Sequence, residues 1–480
     1  MIDFLQHAWP YLIVTITIVI AGFASAHALL YKRDPRAAIG WVGYIWFVPL
    51  FGSLMYLWLG INRIKRLAKL LRSQPHLPDP PTADCQIETL KVLDQYRHLD
   101  LVQLAHAGNQ LARHPLLGGN QIVPLGRDVA LPEMLQAIER AERSITLLTY
   151  IFDNDELGRK FVAALEGAVA RGVEVRLIVD DVGTKYRRPS IVHVLRKTRI
   201  PFAIFMPRLA PYAFPYANLR NHRKLMVVDG KLAFTGGMNI RQGHIAELSD
   251  PQAIVDLHFR VTGPVVAQMQ HVFAEDWNFC RGEPLNGELW FPKLTATGEM
   301  MARAIPDGPD EDLDTLRLII MAGLTCARQS VLVATPYFLP DMSLIAAINL
   351  ASLRGVQVDI LIPERGNLRL VQWASTAMLW QVVQRGVRIW LTPPPFDHTK
   401  LMVVDRVWTL LGSTNWDPRS LRLNFEMNIE CYHEALGESA AAMLEHKISQ
   451  SRQVTLEELD GRSLIRRLRD GAARLFSPYL

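Results

Sequence analysis

Two copies of one short polar motif are the part of this 480-residue sequence best suited to chemistry. Each copy reads His-x-Lys-x4-Asp and is followed, at the same offset, by a turn of small residues that ends in Asn. The first copy contains His222, Lys224, Asp229 and Asn239, and the second contains His398, Lys400, Asp405 and Asn415. A motif of this length rarely arises twice by chance with the same trailing residue, so its repetition is a strong signal.

These residue types fit exchange at a phosphodiester. A His and a Lys two positions apart on a strand would point to the same face. The imidazole can attack phosphorus while the ammonium group neutralises a phosphate oxygen, and the Asn can donate to the same oxygens. Two copies supply two imidazoles, one as the nucleophile and one as the acid that protonates the departing alcohol. The His, Lys and Asp of both copies therefore form the candidate catalytic set.

The aspartates of the motif have a different expected task. Asp229 and Asp405 have the opposite strand parity from the His and Lys, and each lies beside a turn. We expect them to brace those turns or to pair with a charge, and not to act as bases at phosphorus.

A later carboxylate follows each motif, Asp256 in the first copy and Glu426 in the second. Each could hold the distant ring nitrogen of a catalytic histidine and so fix its tautomer. The alternative is an ordinary carboxylate on a strand edge. The other histidines near the motifs lack the spacing of metal ligands and are interpreted as structural, so we expect neither a metal ion nor another cofactor.

Strands and helices alternate around both motifs in the same order. In the first copy, predicted strands at residues 145–152 and 173–180 flank a predicted helix at 157–171, and in the second, strands at 330–335 and 356–362 flank a helix at 342–353. This alternation predicts an α/β fold. A repeat of about 180 residues is much longer than a solenoid repeat, so it indicates two similar halves packed together.

The N-terminal part is strongly apolar. Residues 11–31 and 37–61 carry no charge, and each stretch is long enough to cross a hydrocarbon layer of about 30 Å. The sequence therefore predicts a transmembrane hairpin, against the alternatives of a cleaved signal peptide or a buried core helix. A basic cluster at residues 63–72 favours a cytoplasmic position and contact with anionic lipid, although the basic hairpin loop favours the opposite orientation.

Composition marks the domain boundaries and excludes some partners. We predict the hairpin and a basic juxtamembrane helix at residues 1–72, a Pro-rich linker and helical lead-in at 73–115, and the two halves at 116–295 and 296–480. The basic and apolar C-terminal stretch at 464–480 could lie on an anionic membrane or cover the core. A net charge of +5 without basic stripes argues against nucleic acid as a partner, and four scattered cysteines imply no disulfide framework.

The doubled motif resembles the phospholipase D superfamily, and further segments resemble the bacterial cardiolipin synthases. Those segments are residues 32–38, 221–224 with 235–239, 314–317 and 417–426. The resemblance implies two α/β sandwich halves packed face to face, with one site where the motifs meet. It implies a metal-free transfer of a phosphatidyl group between two phosphatidylglycerol molecules at the cell inner membrane, with release of glycerol. By resemblance His222 is the nucleophile and His398 the general acid and base.

The sequence departs from strict repetition at two places and leaves other functions open. Gly237 stands where the second copy has Ser413, and Arg223 where it has Thr399, which allows unequal roles for the halves. The motifs alone fit a phosphodiester hydrolase or a nuclease of the same superfamily, and a membrane scaffold with relic motifs is the non-enzymatic alternative. Aromatic residues at 212–216 and 373–380 are candidate pocket walls.

Overall fold

The computed structural model describes residues 2–32, 35–60, 100–207, 219–309 and 312–477. The chain divides into two compact units, Met1–Leu70 and Leu71–Leu480. The predicted basic cluster at 63–72, the Pro-rich linker, Cys85 and the aromatic residues at 212–216 lie outside the described residues.

The N-terminal unit contains one continuous apolar helix. Helix α1 spans Ile2–Tyr31, and its segment Trp9–Tyr31 is, within the described residues, the one helix long and apolar enough to cross a membrane. The second apolar stretch instead forms α2 at Pro35–Phe47, α3 at Pro49–Met55 and a π-helical turn at Tyr56–Gly60. Pro49 causes the break, because proline lacks the N–H that would continue α2 and holds the preceding residue away from helical angles. The second apolar stretch is therefore divided into shorter helices, and the transmembrane hairpin stays a prediction.

Small residues let the broken stretch pack closely against α1. Ala21, Ala24 and Ala28 of α1 are buried in one cluster with Ile45 and Tyr56. Small side chains on one helix face permit this close approach. The Nδ1 of His27 lies 2.8 Å from the Tyr56 hydroxyl, so this histidine faces the neighbouring segment.

The first half of the larger unit alternates strands with helices. Helix α4 Leu101–Leu111 precedes this half and packs into the core of the second half. The helices of the first half are α5 Arg127–Arg140, α6 Glu156–Ala170, α7 Val192–Leu195 and α8 Val265–Arg281. Its strands are β1 Leu117–Leu125, β2 Ser144–Thr149, β3 Glu174–Asp180, β4 Phe202–Phe205, β5 Arg220–Asn221, β6 Leu225–Val228, β7 Leu232–Gly236, β8 Ile254–Val255 and β9 His258–Thr262.

The second half repeats this order. Its strands are β10 Met300–Asp307, β11 Ser330–Ala334, β12 Gln357–Pro363, β13 Arg388–Thr392, β14 Phe396–Asp397, β15 Leu401–Val404, β16 Trp408–Gly412, β17 Asn424–Tyr432 and β18 Arg452–Gln453. Its helices are α9 Thr315–Cys326, α10 Met342–Leu353, α11 Arg369–Thr376, α12 Trp380–Val383, α13 Glu434–Ser449, α14 Leu456–Asp460 and α15 Leu464–Arg474.

One mixed sheet runs through both halves. The first half contributes the order β4-β3-β2-β6-β7-β9-β1 and the second the order β10-β17-β16-β15-β11-β12-β13-β18. Strands β1 and β10 pair antiparallel and join the halves edge to edge. Counted outward from this joint, equivalent strands follow one another in the same order in both halves. The sheet is therefore a duplicated α/β unit, as the repeat of motifs predicts. The edge-to-edge joint was not anticipated.

Helices cover both faces of the sheet. Apolar residues of α5 and α6 form one core with the outer face of the first half, and those of α9, α10 and α11 form another with the second half. Helices α8 and α13 bury the remaining face of both halves in one shared cluster. Two short helices, α11 and α12, lie between β12 and β13.

Candidate active site

Short strands that cross between the halves set the position of each motif histidine. Strand β5, just before His222, pairs in parallel with β17 of the second half, and β14, just before His398, pairs in parallel with β8 of the first. The His222 amide donates to the Phe425 carbonyl at 2.9 Å, and the His398 amide donates to the Val255 carbonyl at 2.7 Å. This register places His222 opposite Glu426, the residue after Phe425, and His398 opposite Asp256, the residue after Val255.

Each histidine is consequently held by a carboxylate from the other half. The Nδ1 of His222 lies 2.9 and 3.0 Å from the two carboxylate oxygens of Glu426. The Nδ1 of His398 lies 2.7 Å from Oδ2 of Asp256. A carboxylate accepts the Nδ1 proton, so the pairing assigns the tautomer and leaves a lone pair on Nε2. The expected orienting geometry is present, and its crosswise arrangement is new.

The motif lysines lie in the same buried region. Lys224 and Lys400 are 2% and 5% exposed. The Nζ of each donates to the carbonyl of its own motif histidine, at 2.6 Å for Lys224 and 2.5 Å for Lys400. The histidines and lysines lie outside the strands, immediately before β6 and β15. The hydrogen bond from each lysine to the histidine carbonyl keeps the ammonium group beside the backbone of its own motif histidine.

Burial and mutual charge tune these four groups. Burial, followed by the charges of the two lysines, lowers the pKa of His222 and His398 well below the usual value, so both imidazoles are neutral near pH 7. Burial also lowers the pKa of Lys224 to about 7 and that of Lys400 to about 8. Each histidine is influenced by both lysines, so the two motifs form one electrostatic site.

The orienting carboxylates are matched to different neighbours. Ser413 Oγ donates to Glu426 at 2.5 Å, and Asn424 Nδ2 donates to it at 3.2 Å. At the equivalent position of the first half, a Cβ on Gly237 would lie 2.2 Å from Oδ1 of Asp256. Burial raises the pKa of Asp256, and raises that of Glu426 to about 7. The two histidines are therefore held differently. Glu426 accepts a hydrogen bond from Ser413, whereas the lack of a side chain at Gly237 leaves room for the Asp256 carboxylate.

Where Arg223 is replaced by Thr399 in the second copy, the acid and the cation of a neighbouring ion pair exchange places. Arg223 of the first motif contacts Asp276 of α8, with Nη1 and Oδ2 2.6 Å apart. In the second half the acid lies before the motif and the cation lies on the helix, since Lys447 of α13 donates to Asp397 at 2.6 Å and to Thr399 at 2.8 Å. Each half thus has one ion pair beside its histidine, fully buried in the first half and partly buried in the second.

The structure brings the histidines, lysines and later carboxylates together, but not the aspartates of the motif. Strand β6 separates Asp229 from Lys224, and β15 separates Asp405 from Lys400. The Asp229 carboxylate accepts from the backbone N–H groups of 142–144, and Asp405 accepts from those of 328–330. The oxygens of Asp229 and Asp405 therefore brace the entry to β2 and β11, and a part for these residues in catalysis stays a prediction.

We expect Asp229→Ala and Asp405→Ala to destabilise the protein without removing its chemistry. Each change leaves three N–H groups without their acceptor, at a cost of about 1–3 kcal/mol in the free energy of unfolding. Thermal unfolding and activity should be measured on the same preparations, with Glu247→Ala as a control at an exposed acid. A normal melting temperature with activity reduced by a factor of about 100 or more would show that the aspartates take part in catalysis.

The motif asparagines fasten loops of the site. Asn239 Oδ1 accepts from the Ile151 amide at 3.0 Å, and Asn415 Nδ2 donates to Ser420 Oγ at 3.1 Å. Both residues are 4% exposed. Donation from these amides to a phosphate oxygen remains a prediction.

Aromatic residues beside the histidines were missed in the sequence. Tyr150 packs edge-on against His222 with ring centroids 5.0 Å apart, and its ring lies 5.4 Å from Lys224 Nζ. Tyr337 and Phe396 lie 6.4 and 5.8 Å from the His398 ring. The available signal was that Tyr150 and Tyr337 follow the equivalent strands β2 and β11. Within the described residues, no group of three or more His, Cys, Asp or Glu side chains could hold a metal ion.

Comparison with known proteins identifies the family of the chain. The family model described as cardiolipin synthase, PLD-like domain, matches residues 134–277 and 320–448, one segment in each half. Cardiolipin synthase A of Pseudomonas putida is 30% identical over 466 residues, covering 95% of both chains. A cardiolipin synthase of a Geobacillus species is 29% identical and covers 98% of this chain and 93% of its own.

A solved structure shares the fold. The crystal structure of phosphatidylserine synthase from Haemophilus influenzae superposes with a TM-score of 0.60 at 14% identity, covering 79% of this chain and all of that one. The duplicated family match and the nearly full-length relatives establish that the chain belongs to the cardiolipin synthase family with phospholipase D-like domains.

Proposed function

We propose that the chain is a phosphatidyltransferase that makes cardiolipin, moving a phosphatidyl group from one phosphatidylglycerol to another and releasing glycerol. The observation that carries this proposal is the crosswise pair of histidines, each held by a carboxylate of the opposite half, beside two buried lysines. The nearly full-length cardiolipin synthase relatives support the choice of lipid.

The first step is attack on the donor lipid. His222 Nε2 attacks phosphorus, a P–N bond forms, and the bond from phosphorus to the glycerol oxygen breaks. Lys224 and Lys400 neutralise the non-bridging oxygens, while His398 gives its proton to the departing oxygen. With both lysines charged, both carboxylates ionised and both histidines neutral, the site carries no net charge. Binding the phosphodiester anion therefore favours protonation of one imidazole, which supplies the acid.

The second step reverses the first with a new alcohol. Neutral His398 takes the proton of a hydroxyl of the second phosphatidylglycerol, whose oxygen attacks phosphorus and displaces the His222 nitrogen. Water could attack instead and give phosphatidic acid, which is the hydrolase alternative. Buried histidines that face aromatic neighbours such as Tyr150 and Tyr337 favour exclusion of water and hence transfer.

The apolar N-terminus associates the chain with a membrane, where both lipid substrates reside. We propose that residues 1–72 anchor it as a bent hairpin, with α2 and α3 in the second arm, and that the larger unit is cytoplasmic. We further propose that the two halves are residues 116–295 and 296–480, and that the histidines lie where these halves meet. The linker and lead-in would then occupy residues 73–115.

Purified full-length protein should convert phosphatidylglycerol alone into glycerol and cardiolipin. Mass spectrometry of the products should find phosphatidic acid only as a minor species, and EDTA should leave the rate unchanged because the proposed steps need no metal. Added glycerol should reverse the reaction, since both directions share one intermediate. Phosphatidic acid as the main product at every lipid concentration, with no effect of glycerol, would make the chain a hydrolase.

The two buried lysines should make kcat/KM for phosphatidylglycerol fall at alkaline pH. Their pKa values, about 7 for Lys224 and about 8 for Lys400, mean that charge is lost as pH rises through this range. We therefore expect kcat/KM to fall between these pH values in the free enzyme. The fall should move to higher pH in the kcat profile, because a bound phosphate anion stabilises the ammonium groups. A kcat/KM that stays constant to pH 9 would show that lysine charge does not control capture.

A further inference from the structure

The C-terminal helix α15 presents its apolar side to the outside of the larger unit. Leu464, Ile465 and Leu468 are 69%, 81% and 64% exposed, and Leu475 and Phe476 in the turn that follows are 79% and 55% exposed. The buried side carries Asp470 and Ala473 instead. A surface helix of a soluble domain normally buries its apolar side. The alternative that this stretch covers the core is therefore excluded for its large apolar residues.

Polar contacts hold the helix in this orientation. Buried Asp470 accepts from Arg462 Nη1 at 2.7 Å and from Arg469 Nη2 at 2.6 Å. The Arg469 guanidinium also lies 4.4 Å from the ring centroid of Trp373 on α11. These contacts hold α15 against α11 through the polar side of α15. The apolar side of α15 is therefore exposed as a consequence of the fold.

Unpaired arginines surround the apolar residues. Arg466 and Arg467 are exposed and Arg474 is half-buried, and their guanidinium groups have no carboxylate partner within the described part of the chain. Arg369, at the start of α11, is also exposed beside Leu368 and Leu370, which are 50% and 40% exposed. Apolar residues flanked by free arginines are the chemistry that inserts into a headgroup layer of anionic lipid.

A short series of contacts links this surface to the second histidine. Tyr337 packs against His398 with ring centroids 6.4 Å apart. Its hydroxyl donates to Asn367 Oδ1 at 2.7 Å, two residues before α11 begins at Arg369. The surface thus borders the site through Tyr337 and Asn367.

We propose that the exposed side of α15, together with residues 368–370, forms a docking surface for anionic phospholipid on the larger unit itself. We call it the C-terminal docking surface. It binds the headgroup layer beside the site, so lipid can pass to the histidines without leaving the membrane. Its link to turnover rests on the proposed function, whereas the docking itself does not.

The docking is tested by hydrogen exchange on full-length protein in nanodiscs. Amides of residues 464–476 should exchange about tenfold more slowly in discs of phosphatidylglycerol and phosphatidylcholine than in discs of phosphatidylcholine alone. The variant Ile465→Glu/Leu468→Glu should lose this difference, and Val129→Glu/Leu248→Glu, which changes exposed apolar residues outside the surface, should keep it. Equal exchange in both discs, or protection in lipid-free detergent that increases with protein concentration and indicates a second copy, would overturn the proposal.

The link to turnover is tested by comparing two forms of one substrate. For Ile465→Glu/Leu468→Glu, the ratio of activity on long-chain phosphatidylglycerol vesicles to activity on monomeric short-chain phosphatidylglycerol should fall at least about fivefold, while the control variant keeps the ratio. An unchanged ratio would refute the passage of docked lipid to the site. If the unmodified protein makes no cardiolipin from either form, the proposed function fails, and hydrogen exchange still decides the docking.

Discussion

Replacing His222 or His398 by alanine should reduce cardiolipin formation by at least about 10⁴-fold, because each histidine performs a step that no neighbouring group can take over. His222 supplies the attacking nitrogen, and His398 transfers the proton to and from the alcohols. Each variant should melt at nearly the native temperature, because the carboxylates keep other donors. Glu426 retains Ser413 and Asn424, and Asp256 retains the Leu257 amide. The measurement is the steady-state rate on phosphatidylglycerol micelles together with a thermal unfolding curve.

His193→Ala provides the matched control, because this histidine is exposed on α7 in the first half. It should retain the native rate. A native rate in either His222→Ala or His398→Ala, with an unchanged melting curve, would disprove the two-histidine mechanism. Loss of the folded state in either variant would be separated from loss of chemistry by repeating the test with His→Gln changes, which keep a polar side chain of similar length.

Glu426→Gln and Asp256→Asn should each lower kcat by about 10²–10⁴-fold while KM changes little, since an amide in place of the carboxylate favours the wrong tautomer of the histidine. Removing Glu426 should impair His222, and removing Asp256 should impair His398, because the structure pairs them across the halves. The measurement is kcat and KM, with nitrogen NMR of the histidine rings to read the tautomer. The Glu426→Gln spectrum should change at His222, which a merely structural role would leave unaltered.

Glu430 is the matched control for Glu426 on the same strand. It forms a buried ion pair with Arg303 and accepts from Trp408 Nε1 at 3.0 Å. Glu430→Gln should therefore lower the melting temperature but leave kcat per folded molecule close to native. If Glu426→Gln altered the His398 signal instead of that of His222, the crosswise pairing would be wrong.

The chemistry and the duplication could be predicted from the sequence because they are written in local patterns. The two motifs gave the histidines and lysines, and matching strand and helix signals around them gave the repeated α/β order. Helix α10 falls at its predicted bounds. Asp256 and Glu426 could be proposed as orienting groups because they follow the motifs at similar distances.

The crosswise arrangement could not be predicted because its strands are too short to have a periodicity. Strands β5, β8 and β14 contain two residues each. Their partners lie in the opposite half, so register depends on how the two halves meet and not on local sequence. Which histidine each carboxylate serves is therefore information that only the assembled fold contains.

Strand β17 shows why burial was also hard to predict. Its alternation of Asn424, Glu426, Asn428 and Glu430 with apolar residues is typical of a strand with one solvated face. All nine residues of the strand are nevertheless buried. The polar face lies inside because it bonds to groups such as His222 and Arg303, which are themselves buried.

The most direct measurement of the central claim is the identity of the covalent intermediate. His398→Ala protein should be mixed with phosphatidylglycerol, then denatured and digested at neutral pH. The peptides should be acidified only after these steps and analysed by mass spectrometry. After long incubation the account predicts a phosphatidyl group on the His222 ring. It forms slowly because His398 no longer protonates the departing oxygen, and it persists because no base activates the second alcohol. The adduct should be absent from His222→Ala. A phosphatidyl group found on another residue, or none in native protein that is making cardiolipin, would contradict the account.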